Sequence, residues 1–143
     1  MSLKSLFAVI LLLVTLSAVA EDSRQHVEMP DPMREHMLGN MRDHLLALET
    51  ITRQLANQQY DEAADVAEVR LGMSSMQAHG AAHMAPFMPK GMGAIGTEMH
   101  RAASHFSIAA QNAAIEGGLS KAFAALSEVM SQCVACHSGY RVH

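Results

Sequence analysis

The segment LSKAFAALSEVMSQCVACHSGYR, residues 119–141, contains the clearest helical pattern of the chain. Apolar or potentially buried side chains recur in it at intervals of four and three residues, the spacing that lines one face of an α-helix. The stripe comprises Leu119, Phe123, Leu126, Met130, Cys133 and His137. A stripe of this kind is the seam of a helix that packs against other helices around a shared core. We therefore expect Cys133 and His137 to face the interior of the protein.

Two other segments repeat these intervals. One stripe comprises Met37, Met41, His44, Leu48, Ile51 and Leu55, and the other comprises Ile95, Met99, Ala102, Phe106, Ala109 and Ala113. The composition agrees with helices, because alanine, leucine and methionine are abundant and tryptophan is absent. The sequence therefore predicts an all-α protein.

Start and stop signals divide the chain into four helices. The first is predicted from Asp31 to Leu55, with Asp31 as its N-cap and Pro32 at the first helical position. The second helix is predicted over residues 61–79 and the third over 94–115, after a longer connection at 81–93. The fourth helix is predicted to begin at its N-cap Ser120 and to include both cysteines. The first and third links are short, which favours antiparallel neighbours. The prediction is an up-down-up-down antiparallel four-helix bundle.

Cys133, Cys136 and His137 form the sequence C-x-x-C-H, which attaches a c-type haem covalently. Both thiols add to haem vinyl groups, and the adjacent imidazole is an axial ligand of the iron. The chain has 2 cysteines, so it cannot form a four-cysteine zinc or iron–sulfur site. A thioredoxin-like redox pair is the alternative, but it expects a preceding strand, whereas residues 121–132 are predicted as helix. We predict one covalently bound haem c.

The N-terminus has the pattern of a secretory signal peptide. Lys4 precedes an apolar run over residues 6–16, and Ala18-Val19-Ala20 forms a small-x-small cleavage site. A membrane anchor is the alternative, but the run is shorter than the ~20 residues that span a bilayer. We expect residues 1–20 to be the signal peptide and residues 21–143 to form one cytochrome domain in the periplasm, the compartment in which such haem is attached.

The charge of the chain bears on its partners. The formal net charge is −4, and loss of Lys4 with the signal peptide makes the remainder more acidic. This argues against nucleic acid and suits redox partner proteins. No nucleophile elbow, phosphate loop or second haem motif is visible in the sequence. We therefore expect a protein that is not an enzyme. Because the apolar run belongs to the predicted signal peptide, we also expect no membrane span in the mature form.

A methionine near the start of the first helix is the preferred second axial ligand. In the predicted bundle, the start of the first helix lies at the same end as the finish of the fourth. Met33, Met37 and Met41 lie there, and Met37 belongs to the apolar stripe. Met41 is the runner-up. The alternatives are a histidine ligand, His36 or His44, and methionines that only fill the core.

These features resemble the class II c-type cytochromes, which comprise cytochromes c′ and their low-spin relatives. Tyr140 and Arg141 complete the family pattern C-x-x-C-H-x-x-(Phe/Tyr)-(Arg/Lys), and Met37, Asn40 and Arg42 resemble the ligand segment of low-spin members. The resemblance implies an exported four-helix bundle with its haem near the C-terminus, and it makes Tyr140 and Arg141 candidate cofactor-binding residues. Relatives often dimerise through their first two helices, so a homodimer is left open.

The second axial ligand decides the predicted function. Ligation by His137 and Met37 makes the iron six-coordinate and low-spin and raises its reduction potential, which is typical of a soluble electron carrier. We favour this interpretation. If Met37 only packs nearby, the five-coordinate iron is open to nitric oxide or carbon monoxide, as in cytochromes c′.

Two further groups of residues are candidate ligands. A copper-binding role is a third hypothesis, because soft and borderline metal ligands gather around the long connection. They are His79, His83, Met84, Met88, Met92, Met99 and His100. The alternative is that the methionines are core filler. Arg42, Arg101 and Arg141 are candidates to neutralise the haem propionates, with ordinary surface arginines as the alternative.

Overall fold

The computed structural model describes residues 21–143, which form an all-α fold with one short pair of strands. The helices are α1 (Asp31–Ala56), α2 (Tyr60–Arg70), α3 (Ala81–Met84), α4 (Lys90–Glu116) and α5 (Leu119–Gly139). The strands are β1 (Gln25–His26) and β2 (Tyr140–Arg141), and 3-10 turns occupy Met73–Ser75 and Ala85–Phe87. The predicted signal peptide, residues 1–20, lies outside the described residues. The all-α class is confirmed.

The starts of α1 and α5 differ slightly from the prediction. Pro30 rather than Asp31 is the N-cap of α1, so Asp31 and Pro32 are its first two helical residues. Proline is accepted there because the first N–H groups of a helix have no intrahelical partner. Gly118 rather than Ser120 precedes α5, which begins at Leu119. Neither helix has a side-chain cap.

The second helix is shorter than predicted and ends at Arg70 rather than His79. Ser74 Oγ donates to Glu68 O at 2.9 Å, and Ser75 Oγ donates to Gly72 O at 2.7 Å. Serine side chains that bond nearby backbone groups compete in this way with the continuing helical ladder. Residues 71–80, which we call the connecting segment, are therefore folded as turns.

The long connection predicted over residues 81–93 is partly helical. Gly80 adopts a left-handed φ of 64° at the start of α3. Pro89, with φ −52° and ψ 144°, is the N-cap of α4, which therefore begins at Lys90 rather than Ala94. Both residues change the chain direction at the helix starts, because proline restricts φ and glycine accepts positive φ.

Packing of the long helices forms one main core. Helix α4 packs against α2 and α5, and α2 packs against α1. The buried members of the core are Ala47, Ile51, Leu55, Ala63, Ala64, Ala67, Leu71, Met99, Ala103, Phe106, Ala110, Ala113, Ala122, Leu126 and Val129. On α4 the predicted Ala113 is buried, but the other buried alanines are Ala103 and Ala110 rather than the predicted Ala102 and Ala109, which are partly buried.

The inward face of α5 is rotated from the predicted stripe. It comprises Ala122, Leu126, Val129, Cys133 and Cys136, at the same intervals of four and three residues. Phe123 is 44% exposed, Met130 is 50% exposed, and His137 is also exposed. Small Ala122 permits a closer approach of α5 to the core than a large aromatic side chain would. The prediction was therefore wrong for the inward orientation of His137, whereas Cys133 does pack against the core.

The two ends of the described chain meet. Strands β1 and β2 pair in parallel, with Gln25 opposite Tyr140 and His26 opposite Arg141. Val27 N–H extends the pairing by donating to Arg141 O at 2.8 Å. Over residues 21–143, no helix combines the length and apolar character needed to cross a bilayer.

Candidate functional site

The two thiols of the C-x-x-C-H motif lie between two apolar clusters. Cys133 packs against the main core, whereas Cys136 packs against a second cluster. Burial raises the pKa of both thiols, and Cys133 Sγ donates to Val129 O at 3.6 Å. The thiols are therefore protonated at neutral pH. This environment, inside a continuous helix, differs from that of a thioredoxin-like pair, whose attacking thiol has a lowered pKa.

The second cluster, which we call the methionine cluster, joins the start of α1 to the end of α5. Its buried members are Val27, Met37, Met84 and Met92, and its partly buried members are Met29, Met33, Met41, Met88, Cys136, Tyr140 and Val142. All three methionines predicted as candidate ligands belong to it. Met37 is buried, whereas Met33 and Met41 are partly buried. The preferred candidate thioether thus shares a cluster with Cys136.

Tyr140 is held in the methionine cluster by the pairing of the chain ends. A Cβ at position 91 would lie 2.6 Å from Tyr140 Oη, so Gly91 permits the ring to lie against the start of α4. Neither this contact nor the pairing of β1 with β2 was predicted from the sequence. A parallel pair of two-residue strands has no periodic signal of its own, because the partners lie at opposite ends of the chain.

His137 lies at the edge of this arrangement, with an exposed side chain. Successive side chains of an α-helix are rotated by about 100°, so the residue after inward-facing Cys136 turns away from the cluster. The carbonyl oxygen of His137 accepts a hydrogen bond from Arg24 Nη1 at 3.4 Å. The role of His137 as an iron ligand stays a prediction.

The three candidate arginines have different surroundings. Arg141 lies between the cluster members Tyr140 and Val142, and its buried Nε has no hydrogen-bond partner within residues 21–143. This Nε does form an ion pair with Asp22, whose Oδ2 lies 3.5 Å away. Arg101 pairs with Glu98 on the exposed side of α4, and Arg42 is exposed. Arg141 is therefore the best placed of the three for a propionate, which would replace or share the Asp22 carboxylate as its partner.

The side-chain types present are those that a c-type haem requires. Two half-buried thiols have the C-x-x-C spacing, an imidazole follows directly, and the second thiol packs against a cluster that contains methionines. Arg141 adds a buried donor for a carboxylate. Each of these groups matches one chemical requirement of the predicted cofactor.

The Met/His segment predicted as a copper site is divided by the fold. Met84, Met88 and Met92 join the methionine cluster, Met99 joins the main core, and His83 is exposed. His79 and His100 approach each other elsewhere. Among residues 21–143, no three His, Cys, Asp or Glu side chains stand in a preformed metal-binding group. The structure therefore does not bring the soft and borderline ligands together as one set.

His79 and His100 meet His44 in what we call the histidine cluster. The ring centroids are 4.8 Å apart for His44 and His79, 5.4 Å for His79 and His100, and 6.1 Å for His44 and His100. Burial first, then the two neighbouring imidazoles, lowers the pKa of His44 to about 4. Burial also lowers the pKa of His79. Both side chains are therefore neutral at pH 7.

The two histidines considered as alternative haem ligands are engaged with the connecting segment. His44 belongs to the histidine cluster, and His36 Nε2 lies 2.9 Å from His79 O. Asn40 Nδ2 donates to the same carbonyl at 3.1 Å. The sequence analysis placed His44 on the buried stripe but did not pair it with His79 or His100. The predicted burial of His44 could have indicated polar neighbours, because a buried imidazole needs hydrogen-bond partners.

Comparison of the chain with protein-family models, with curated proteins and with solved structures gave no match. The resemblance to class II cytochromes c therefore depends on the residues of the chain itself.

Proposed function

We propose that the chain is an exported mono-haem c-type cytochrome of the class II type that acts as a soluble electron carrier. The observation that carries the proposal is the meeting of Met37 and Cys136 in the methionine cluster. An up-down-up-down antiparallel four-helix bundle accounts for it, because that topology brings the start of α1 to the end of α5. The core shared by α1, α2, α4 and α5 supports this topology.

Each residue of the site has a distinct role in this proposal. Cys133 and Cys136 would hold the haem covalently, and His137 and Met37 would ligate its iron, with Met41 as the runner-up for Met37. When bound, the haem would supply a one-electron iron couple that accepts an electron from one redox protein and delivers it to another. A thioether ligand raises the reduction potential. The apolar side chains around Met37 exclude water from the buried side of the site.

Arg141 and Tyr140 orient the cofactor in this proposal. The buried Arg141 Nε, which has no hydrogen-bond partner within residues 21–143 and pairs with Asp22 at 3.5 Å, would donate a charge-assisted hydrogen bond to a propionate. Tyr140 forms part of the apolar wall next to Cys136. The signal-peptide pattern and the haem motif favour the same compartment, the periplasm, where the acidic chain would meet its redox partners.

Optical and electron paramagnetic resonance spectra test the proposal on protein made in cells competent for cytochrome maturation. We expect a low-spin spectrum for the wild type and for Met41→Ala, and loss of low-spin character in Met37→Ala. Met73→Ala is the control, because Met73 is 42% exposed and lies outside the methionine cluster. Loss of low-spin character in Met41→Ala alone would assign the ligand to the runner-up.

Two outcomes would contradict the electron-carrier proposal. A high-spin wild type that binds carbon monoxide or nitric oxide would favour the gas-binding alternative. A colourless wild type with two free thiols would remove the haem proposal altogether. The variants Cys133→Ser and Cys136→Ser should each lose one thioether bond, which mass spectrometry of the haem peptide measures.

A further inference from the structure

The histidine cluster is a second polar site that the proposed haem function does not use. Its three imidazoles come from separate parts of the chain: His44 from α1, His79 from the connecting segment and His100 from α4. His44 and His100 are buried, and His79 is partly exposed. The three imidazoles converge from separate segments around the buried Ser75, whose Oγ lies 3.4 Å from His79 Nδ1 and 3.3 Å from His100 Nδ1.

Among residues 21–143 these three side chains do not form a preformed metal-binding group, but the spacing of their rings is close to that of three ligands on one metal ion. Metal–nitrogen bonds of about 2.0–2.1 Å in a tetrahedral site place ligand nitrogens about 3.3 Å apart and imidazole centroids about 5 Å apart. His44 Nε2 and His79 Nδ1 are 3.5 Å apart. The three centroid distances run from 4.8 to 6.1 Å. The largest departure involves His44 and His100, so closure of the site requires an approach of about 1 Å between these two rings.

Hydrogen bonds around the cluster orient two of the histidines. His100 Nδ1 donates to Leu71 O at 2.7 Å, so Nε2 is the ring nitrogen that remains for a metal ion. The backbone carbonyl of His79 accepts hydrogen bonds from His36 and Asn40. Metal-ligating histidines commonly donate their other ring nitrogen to a carbonyl, and this contact sets the tautomer and the ring orientation. The same pattern is present at His100.

The charges next to the cluster permit a cation. Arg70 is the nearby positive side chain, and its Nε donates to Asp43 Oδ2 at 3.2 Å. A second hydrogen bond joins Arg70 Nη2 to the backbone carbonyl of Asp43 at 3.2 Å. The guanidinium charge is therefore balanced by a carboxylate on the residue that precedes His44.

We propose that His44, His79 and His100 bind one divalent transition-metal ion of the zinc type. Imidazole nitrogen suits zinc and divalent copper, whereas thioethers select monovalent copper. The fold separates this cluster from Met84, Met88 and Met92, which favours the divalent ion. The bound ion would connect α1 to α4 through the connecting segment and leave a fourth coordination position for water or another ligand.

Zinc titration of the haem-loaded mature protein, in competition with a chromophoric chelator, tests the proposal. We expect one Zn²⁺ per chain and a loss of affinity of at least about tenfold in His44→Ala, His79→Ala and His100→Ala. His83→Ala is the matched control, because His83 is exposed and lies outside the cluster. X-ray absorption of the wild-type zinc complex should show three imidazole ligands at about 2.0–2.1 Å, a readout that needs no variant.

Three results would overturn the metal proposal. They are substoichiometric zinc uptake by the wild type, equal loss of affinity in His83→Ala, and fewer than three imidazoles around the zinc. Circular dichroism identifies any variant that fails to fold, and His79→Gln then replaces the alanine variant at the least buried position. The haem spectrum is a separate readout, so failure of this site is distinguishable from failure of the electron-carrier proposal.

Discussion

The charge of His44 is set by its immediate neighbours. Transfer of an imidazolium into the pocket is unfavourable because burial removes its hydration. The imidazoles of His79 and His100 and the guanidinium of Arg70 also lower the pKa of His44, whereas the carboxylate of Asp43 raises it. The net result is a neutral side chain at pH 7, with a pKa of about 4.

Stability of the metal-free protein should fall as the pH drops from about 6.5 to 4. The unfolded chain binds a proton at His44 with a pKa near 6.5, whereas the folded protein binds it only near 4. The stabilisation is therefore complete above pH 6.5 and decreases by roughly 2–3 kcal/mol on acidification. Urea unfolding across this range should show a shallower pH slope in His44→Gln than in the wild type or in His105→Gln, an exposed control. Equal slopes in all three proteins would contradict it.

Gly80 gives a second prediction at the scale of one residue. Its φ is 64°, and an added Cβ would lie 3.1 Å from His36 Nε2. Gly80→Ala should therefore destabilise the protein by about 1–2 kcal/mol, because an L side chain is strained in the left-handed region. Gly96→Ala should instead stabilise by about 0.5–1 kcal/mol, because Gly96 is helical and its Cβ would meet no neighbour within 4 Å. Chemical denaturation measures both changes, and effects of the same sign would contradict the prediction.

On α4, the face that packs most closely against the neighbouring helices is the one that carries alanine side chains. On α4, Ala103 and Ala110 are fully buried, whereas large Ile108 is 56% exposed. Ala102 lies on the wall of an open cleft of about 250 Å³ formed with α5. Hydrophobicity alone therefore misassigns the tightest contacts, because close helix approach requires small side chains.

Two adjacent alanines of α4 should differ in how well they tolerate a larger side chain, because Ala103 is fully buried and Ala102 is only partly buried. Ala103→Leu should destabilise the protein by about 1–3 kcal/mol, because a larger side chain at a fully buried position forces the helices apart. Ala102→Leu should change stability by less than about 0.5 kcal/mol, because its side chain can enter the open cleft. Thermal and urea unfolding measure the difference. A larger cost at Ala102 would show that the stripe predicted from sequence is the buried one.

Across the whole molecule, the chain ends close the methionine cluster. Val27 is 4% exposed and belongs to this cluster, and its N–H donates to Arg141 O. The segment before α1 therefore contributes to the same apolar region as Cys136. This contact connects the proposed haem site to residues that have no helical periodicity.

A charge at Val27 should loosen the end of the molecule that contains Cys136. Val27→Asp should lower the free energy of unfolding by about 1–3 kcal/mol, because it buries a carboxylate without a partner. It should also increase binding of a hydrophobic dye. The matched control is His26→Asp, which introduces the same side chain at the neighbouring exposed position. Similar effects in both variants would contradict a specific role for Val27 in the cluster.

How far the site could be predicted differs from residue to residue. Met33, Met37 and Met41 were expected near the end of the last helix, and the structure groups them with Cys136. His137 was expected to face inward, but the inward face of α5 passes through Cys136 instead. The same spacing of four and three residues fits more than one face of a helix, and these faces differ by a small rotation about the helix axis. Burial against another helix selects one of them, and a single helix contains no information about that neighbour.

The sequence was sufficient to predict the all-α class and the approximate bounds of α1, α4 and α5, and it contains the C-x-x-C-H motif, because these features depend on residues within a few turns of one another. The tertiary structure alone decided the early end of α2, the rotation of α5, the contact of Val27 with the methionine cluster, and the convergence of His44, His79 and His100. Those features depend on contacts between segments distant in the chain, whose energies become defined only when the helices pack.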